Sequence, residues 1–300
     1  MTASCALVDW GTSSFRLWLV DTAGIVLAER RSEEGMLAAS PDGFAAILEA
    51  HLSALGAPAD LPVVACGMVG ARQGWVEAPY VDTPATIATI SANALRVPDH
   101  RRQVHLLPGI AQRHADAPDV MRGEETQLLG LPATDGAQIV CLPGTHSKWV
   151  EIDDGRIERF ATFVTGDLFA AASRHTILRH SVAEPAAPFD PGQFRAGFRA
   201  GLEQPAEFTN RLFAIRAGAL LGAGDRIDGG SGLSGLLVGL EFAGARSRFG
   251  AIDGMRLVAT GPLLDIYRLA AEVAGMVVDV QDAERAVRAG LNACAREILR

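Results

Sequence analysis

Leu142-Pro143-Gly144-Thr145-His146-Ser147-Lys148-Trp149 holds the only lysine in 300 residues; the other 26 of the 27 basic residues are arginine. It repeats an earlier stretch, Asp9-Trp10-Gly11-Thr12-Ser13-Ser14-Phe15-Arg16, at an offset of 133 positions, so that Gly11-Thr12-x-Ser14 falls on Gly144-Thr145-x-Ser147. Each copy follows a short apolar run (Cys5 to Val8; Ile139 to Leu142). Each then leads through an alternating run to an acidic, glycine-containing turn (Asp21 to Gly24; Asp153 to Gly155) and a third apolar run. Two strand–turn–strand–turn–strand units in one chain predict a duplicated fold. The turns themselves have a chemistry. Glycine lets the backbone approach a ligand, and the neighbouring hydroxyls and N–H groups form a concave donor nest suited to phosphate. A lone Gly-Thr-x-Ser could equally be a hairpin turn; the matching flanks favour the nest.

Outward from these stretches, the N-terminal part reads as three strands over 4–31. A helix follows, started by Ser40-Pro41, carrying Phe44, Ile47, Leu48, Leu52 and Leu55 on one face and ended by Gly56. A strand over 61–66, a helix over about 84–95 and a short strand at 105–107 complete the order βββαβαβ, that of a ribonuclease H-like α/β domain. The second unit places strands near 137–142, 147–152 and 157–163 and a helix from about 166. A Pro-, Gly- and Ala-rich insertion or cap is expected at 178–207, then a helix over 208–223. Strands at 236–238 and 256–259 follow, with a last helix from near Asp282 that carries Val287, Leu291, Cys294 and Ile298 on one face. The expected domains are 1–132 and 133–300, hinged near 130–136, with the last helix free to pack back on the first domain or on a partner in a homodimer.

Composition excludes several classes. A net charge of −8 argues against a general nucleic-acid binder, and no apolar run is long enough to span a membrane. The start of the sequence has no basic n-region or long apolar h-region, and the four cysteines are far apart with no Cys-x-x-Cys. A cytoplasmic protein without structural zinc is expected. Gly230-Ser231-Gly232-Leu233-Ser234-Gly235 matches G-x-G-x-x-G but reads as preceding a strand, so it is not a dinucleotide fingerprint. Lys148 lacks the glycine spacing of a P-loop.

Asp9 ends a strand at the first nest, where an acid suits Mg²⁺ held partly through water, or else orders the turn. Lys148 beside the second nest is a candidate phosphate charge. Glu124 and Glu125, at the start of a short helix, are candidate bases for a sugar hydroxyl attacking a γ-phosphate, or else serve the helix dipole; the sequence does not separate them. Arg16, Arg72 and Arg122 could clamp a substrate carboxylate bidentately, with Met68, Gln73 and Trp75 in the same glycine-rich loop as Arg72. Thr260-Gly261-Pro262, after a strand and opening a helix, is a candidate nucleoside site.

These residues resemble the superfamily of sugar kinases, Hsp70 and actin. Asp9-x-Gly11-Thr12-Ser13-Ser14-x-Arg16 is similar to its first phosphate motif, Gly144-Thr145-His146-Ser147 to the second, and Thr260-Gly261 to a shortened adenosine motif. Within it the chain resembles the 2-dehydro-3-deoxygalactonokinase family through Val8–Arg16, Gly67–Tyr80, Arg122–Gly130, Leu142–Trp149 and Phe163–Phe169. The resemblance implies two ribonuclease H-like domains with an interdomain cleft, ATP and Mg²⁺ as cofactors, and phosphorylation of the 6-hydroxyl of 2-dehydro-3-deoxy-D-galactonate in galactonate breakdown. Leu142-Pro143 stand where the superfamily usually carries an acid, which leaves Lys148 to compensate and Asp167 as a further candidate acid. Three other readings remain open: a non-catalytic nucleotide-switched protein, a metal-dependent nuclease, and a kinase for the gluconate-derived keto acid.

Overall fold

The computed structural model describes residues 2–39, 43–182, 189–222 and 229–300. The chain divides into two units. One comprises Met1–Gly136, Ile152–Arg159 and Asp282–Arg300; the other comprises Ala137–Glu151 and Phe160–Gln281. Among the described residues no helix is long and apolar enough to cross a membrane.

The first unit begins with β1 (Cys5–Trp10), β2 (Phe15–Val20), β3 (Val26–Ser32), α1 (Phe44–Ala54) and β4 (Val63–Gly67). It continues with β5 (Tyr80–Asp82), α2 (Ile87–Ala92), β6 (Leu95–Arg96), β7 (Val104–Leu106), β8 (Gly109–His114), β9 (Ala117–Met121) and α3 (Glu124–Leu129). The main sheet has the order β3-β2-β1-β4-β7-β6, with β1, β4 and β7 parallel and β2 and β3 antiparallel to their neighbours. β1 and β4 are apolar almost throughout because both faces of the sheet are covered, as parallel strands require. Trp10, Phe15, Leu17, Phe44, Leu48 and Leu52 form the centre of this core, so the apolar stripe read for α1 is the face that packs. Its expected start at Ser40-Pro41 lies outside the described residues.

Two expectations here need correction. The helix over 84–95 contracts to α2, because Thr86 and Thr89 close a capping box two residues after Pro84 and Asn93 ends the helix. Residues 80–82 and 109–121 form a separate three-stranded sheet, β5-β8-β9, that the sequence reading left unassigned.

The second unit contains β10 (Gln138–Leu142), β11 (Ser147–Asp153), β12 (Arg156–Phe163), α4 (Thr165–His175), α5 (Pro191–Glu203), α6 (Phe208–Leu221), α7 (Gly229–Phe249), β13 (Gly254–Val258), α8 (Gly261–Ala274) and β14 (Val277–Gln281). Its sheet order is β12-β11-β10-β13-β14, so third, second, first, fourth and fifth strands line up as β3-β2-β1-β4-β7 do in the first unit. The supposed cap at 178–207 contains the 13-residue helix α5, started by Asp190 accepting from the N–H groups of Gly192 and Gln193 with Pro191 behind it. The strand expected at 236–238 is the middle of the 21-residue helix α7. The Gly-x-Gly-x-x-Gly stretch also lies inside α7, so it is indeed no dinucleotide loop, but for a different reason. Gly235 and Gly239 lie against the backbone of Phe194, Phe198 and Leu202 of α5, and Gly197 and Gly201 of α5 against that of Gly232, Leu236 and Leu240, contacts too close for side chains. Tertiary packing here overrides the low helix propensity of glycine. β14, an outer strand with exposed Val277, went unread.

The last helix, α9 (Ala283–Ile298), belongs to the first unit and buries Val287, Leu291 and Cys294. It crosses α3 at van der Waals range: a Cβ on Gly290 would meet the Thr126 carbonyl at 1.9 Å. α9 thereby fixes the helix that presents Glu124 and Glu125.

Candidate active site

Register assembles the first half of the site. Asp9 is the Cα partner of Arg16 across the β1–β2 pair and of Cys66 across the β1–β4 pair. Arg16 Nη1 accordingly reaches Asp9 Oδ2 at 3.3 Å, and the Asp9 side chain is only 19 % exposed. Burial pushes its carboxyl up, and Arg16 partly opposes that shift. The turn after β1 closes through Gly11 N–H donating to the Ser14 carbonyl at 2.9 Å, and it is braced by the N–H groups of Met36 and Leu37 on the carbonyls of Gly11 and Thr12. Thr12 and Ser13 stay exposed at its tip, as a ligand nest requires. One step along the sheet, β4 ends at Gly67, whose φ of +91° and 2.6 Å clearance from the Trp10 carbonyl admit no Cβ. A Cβ on Gly123 would lie 3.4 Å from Gly67 Cα, so the start of α3 sits against this strand end.

Glu124 and Glu125 differ sharply although they are adjacent. Glu125 is fully buried; its Oε2 accepts from Gly123 N–H at 2.5 Å and its Oε1 from Thr126 Oγ1 at 2.8 Å. Burial, and then the neighbouring Glu124, push its carboxyl up to about 7. Glu124 is half-buried and accepts the Arg122 N–H at 3.1 Å.

The glycine-rich loop separates its candidates. Arg72 and Gln73 are exposed and Met68 is half-buried in a single 3-10 turn. Trp75 is half-buried, stacks on Phe44 at 6.3 Å and meets His100 edge-on, so one side of it packs against the core. Arg122 turns into the loop. Its Nη2 donates to the Ala78 carbonyl at 2.8 Å and its guanidinium lies 4.5 Å from the Tyr80 ring centroid. Its Nε and Nη1 are buried without a hydrogen-bond partner among the described residues.

In the second unit, the turn between β10 and β11 exposes Thr145 and His146 and buries the two residues that follow. Lys148, expected as a surface charge or a phosphate ligand, is 4 % exposed, and its Nζ donates to the His146 carbonyl at 3.2 Å. Ser147 is fully buried, and its hydroxyl bonds Tyr267 at 2.9 Å instead of pointing outward with those of the turn. α4 caps the turn from above: the N–H groups of Gly166 and Asp167 donate to the Thr145 carbonyl, and His146 Nε2 bonds Asp167 Oδ2 at 2.7 Å. Asp167 is thus paired with the second turn.

Beside that turn lies a pocket of about 220 Å³. Gly144, Thr165 and Phe169 line it, together with Leu237 and Val238 of α7 and Leu263, Ile266 and Tyr267 of α8. Thr260 and Gly261 are exposed at the start of α8, with Gly261 at φ +61°. The sequence reading missed Thr165, Glu241 and Tyr267. Glu241 could have been noticed as the lone acid in the run from Gly229 to Ala245, where a charge needs a buried partner set.

A glycine turn follows the first strand of each unit and an apolar pocket lies beside the second turn, in an α/β chain whose family is one of carbohydrate kinases. The chain belongs to the 2-keto-3-deoxy-galactonokinase family, whose model matches residues 9–294. It is 54 % identical over 98 % of its length, and 97 % of the relative's, to a protein of Rhizobium meliloti (strain 1021) described as a probable 2-dehydro-3-deoxygalactonokinase. It is 35 % identical, over 99 % of both chains, to the 2-dehydro-3-deoxygalactonokinase of Escherichia coli (strain K12). The crystal structure of a Sinorhizobium meliloti protein assigned to the same activity superposes with a TM-score of 0.92 at 53 % identity, covering 98 % of this chain and 99 % of that one.

Proposed function

We propose that this chain transfers the γ-phosphoryl group of ATP to the 6-hydroxyl of 2-dehydro-3-deoxy-D-galactonate, yielding ADP and the 6-phosphate, in the cytoplasm. The observation that carries this reading is similarity along the whole chain, 54 % identity over 98 % of it, to a relative of that description. The proposal includes the duplicated ribonuclease H-like architecture, which the matching strand orders of the two sheets support.

In this reading the pocket beside Gly144 takes the adenine, since it is mostly apolar and of nucleobase size, with the phosphates at the turns Gly11–Ser14 and Gly144–His146. Thr260 and Gly261 border the nucleoside. Glu124 accepts the proton of the attacking hydroxyl, because it is half-buried at a helix start while both oxygens of Glu125 are engaged inside the fold. The sugar oxygen then forms its bond to phosphorus as the bond to the ADP oxygen breaks, in line. Arg16, Arg72 and Arg122 supply positive charge for the substrate carboxylate, Arg72 from an exposed position in the glycine-rich loop. Ser147 and Lys148 act from beneath the second turn, holding its shape.

Asp9 would hold Mg²⁺. Among the described residues no three His, Cys, Asp or Glu side chains gather as a cage, and a single half-buried carboxylate fits an ion that keeps several waters and takes its other ligands from phosphate. When bound, Mg²⁺ supplies neutralisation of charge on the phosphate oxygens.

The test is ADP release with Mg-ATP and a panel of both 2-keto-3-deoxy acids, galactonate, glucose, glycerol and acetate. Turnover on the galactonate-derived keto acid well above the others is expected. Nucleotide binding with no turnover on any of them would overturn the kinase reading.

A further inference from the structure

The most heavily hydrogen-bonded buried carboxylate in the second unit belongs to no motif. Glu241, on α7, is 2 % exposed. It accepts from Trp149 Nε1 at 2.8 Å, from the Tyr267 hydroxyl at 2.7 Å and from Thr165 Oγ1. The indole N–H can only donate; with Glu241 ionised, the Tyr267 and Thr165 hydroxyls donate to it, and Ser147, which also bonds the carboxylate, divides its one proton between Glu241 and the Tyr267 oxygen. Ser147 Oγ in turn is left to accept from the Gly144 N–H, 3.4 Å away. One carboxylate therefore orders a chain of donors that ends in the second phosphate turn.

The same chain forms part of the pocket. Thr165, Tyr267 and Gly144 all line it, and they come from the start of α4, from α8 and from the β10–β11 turn. Glu241 bonds Thr165 and Tyr267 directly and reaches Gly144 through Ser147. A buried carboxylate is costly unless its partners satisfy it, and here three donors do. Burial pushes the carboxyl up, and the hydrogen bonds from Thr165, Trp149 and Tyr267 draw it back.

We propose that Glu241 is a positioning residue for nucleotide binding, locking the wall of the pocket and the Gly144 turn into one arrangement through Tyr267, Thr165 and Ser147. This rests on the pocket being the nucleotide's, as proposed above. Glu241 touches no ligand; it sets the geometry of the groups that do.

The experiment compares the full-length protein with E241Q and Y267F by titration calorimetry with Mg-ADP and by steady-state kinetics in ATP and in the keto acid. In E241Q an amide NH₂ faces one of three donors, so the network opens. ADP affinity and KM for ATP are expected to worsen together by about tenfold or more, with KM for the keto acid changed less than twofold. Y267F keeps the ring in the pocket wall and removes only the link to Ser147, and a several-fold loss of ADP affinity is expected. A merely structural role would lower the melting temperature without separating the two KM values. ADP affinity equal to that of the unaltered protein in folded E241Q overturns the proposal; if E241Q does not fold, Y267F decides by the same criterion. Should the unaltered protein bind ADP yet phosphorylate no keto acid, the kinase reading fails while the calorimetric arm still decides the role of Glu241.

Discussion

The backbone N–H of Gly123 donates to Glu125 Oε2 at 2.5 Å, which folds the second glutamate's carboxyl back under the turn that presents the first. Adjacent acids at a helix start are thereby given separate work. Glu125 holds the turn, and Glu124 is left on the more open side.

Replacing each by its amide should separate them. Glu124→Gln is expected to lower kcat by about 10²–10⁴-fold, the usual contribution of a positioned base, with ADP affinity within twofold of the parent. Glu125→Gln should keep kcat within about tenfold, since its side chain shapes the turn and does not meet substrate. The reverse ranking in single-turnover assays would exchange the two assignments.

Glu125 also predicts a pH dependence of stability. Its carboxyl ordinarily titrates at 4.5 and is pushed up to about 7 in the fold. Between these values the folded chain binds more protons than the unfolded one, so stability falls as pH rises, and the loss is complete above about pH 7. The magnitude is roughly 3 kcal/mol at most. Urea denaturation at pH 5 and pH 8 should show this loss in the parent protein and a much smaller one in Glu125→Gln. Equal pH slopes in the two proteins would mean that Glu125 is ionised in the fold throughout that range.

Much of the site's framework was legible because it rests on short-range rules. A glycine turn at the end of an apolar strand reads the same in isolation as in the fold, and Asp9, Gly11 and Gly144 stand where such turns were expected. Side-chain direction was not legible. Ser147 lies one residue beyond the exposed His146, and the pleat of β11 turns it into the core toward Tyr267, 120 residues away. Lys148 reads as a candidate phosphate charge, and only the packing of β11 reveals that its ammonium donates to the His146 carbonyl from inside. Trp75 reads as a loop aromatic, and only the fold shows Phe44 of α1 stacked beside it.

Arg122→Lys tests the substrate end of the site. A lysine can still donate to one loop carbonyl such as that of Ala78, but it cannot reproduce the planar guanidinium that lies over the Tyr80 ring. KM for the keto acid is expected to rise about 10–100-fold, with ADP affinity unchanged. A keto-acid KM equal to the parent's would remove Arg122 from the substrate site and leave it as a brace for the loop.

Leu236-Leu237-Val238 was assigned to a strand because a short apolar run after glycines carries no helical period of its own. In the fold Gly235 and Gly239 form a stripe along α7 that lets it touch the backbone of α5. A Cβ on Gly235 would stand 2.1 Å from the Phe194 carbonyl oxygen, a rigid helical atom that cannot step aside. Gly235→Ala would gain helix propensity of about 1 kcal/mol, yet it must push two helices apart where Phe194, Phe198 and Phe242 pack. Overpacking of this kind costs about 1–3 kcal/mol, and more where backbone meets backbone, so a net destabilisation of roughly 2 kcal/mol is expected in urea denaturation. Because α7 also carries Glu241, ADP affinity should fall as the helix shifts. Gly218→Ala on α6, where a Cβ meets nothing within 4 Å, is the control and should leave stability unchanged or slightly raised. If Gly235→Ala proved as stable as Gly218→Ala, the two helices would have to lie farther apart in solution than the glycine stripe implies.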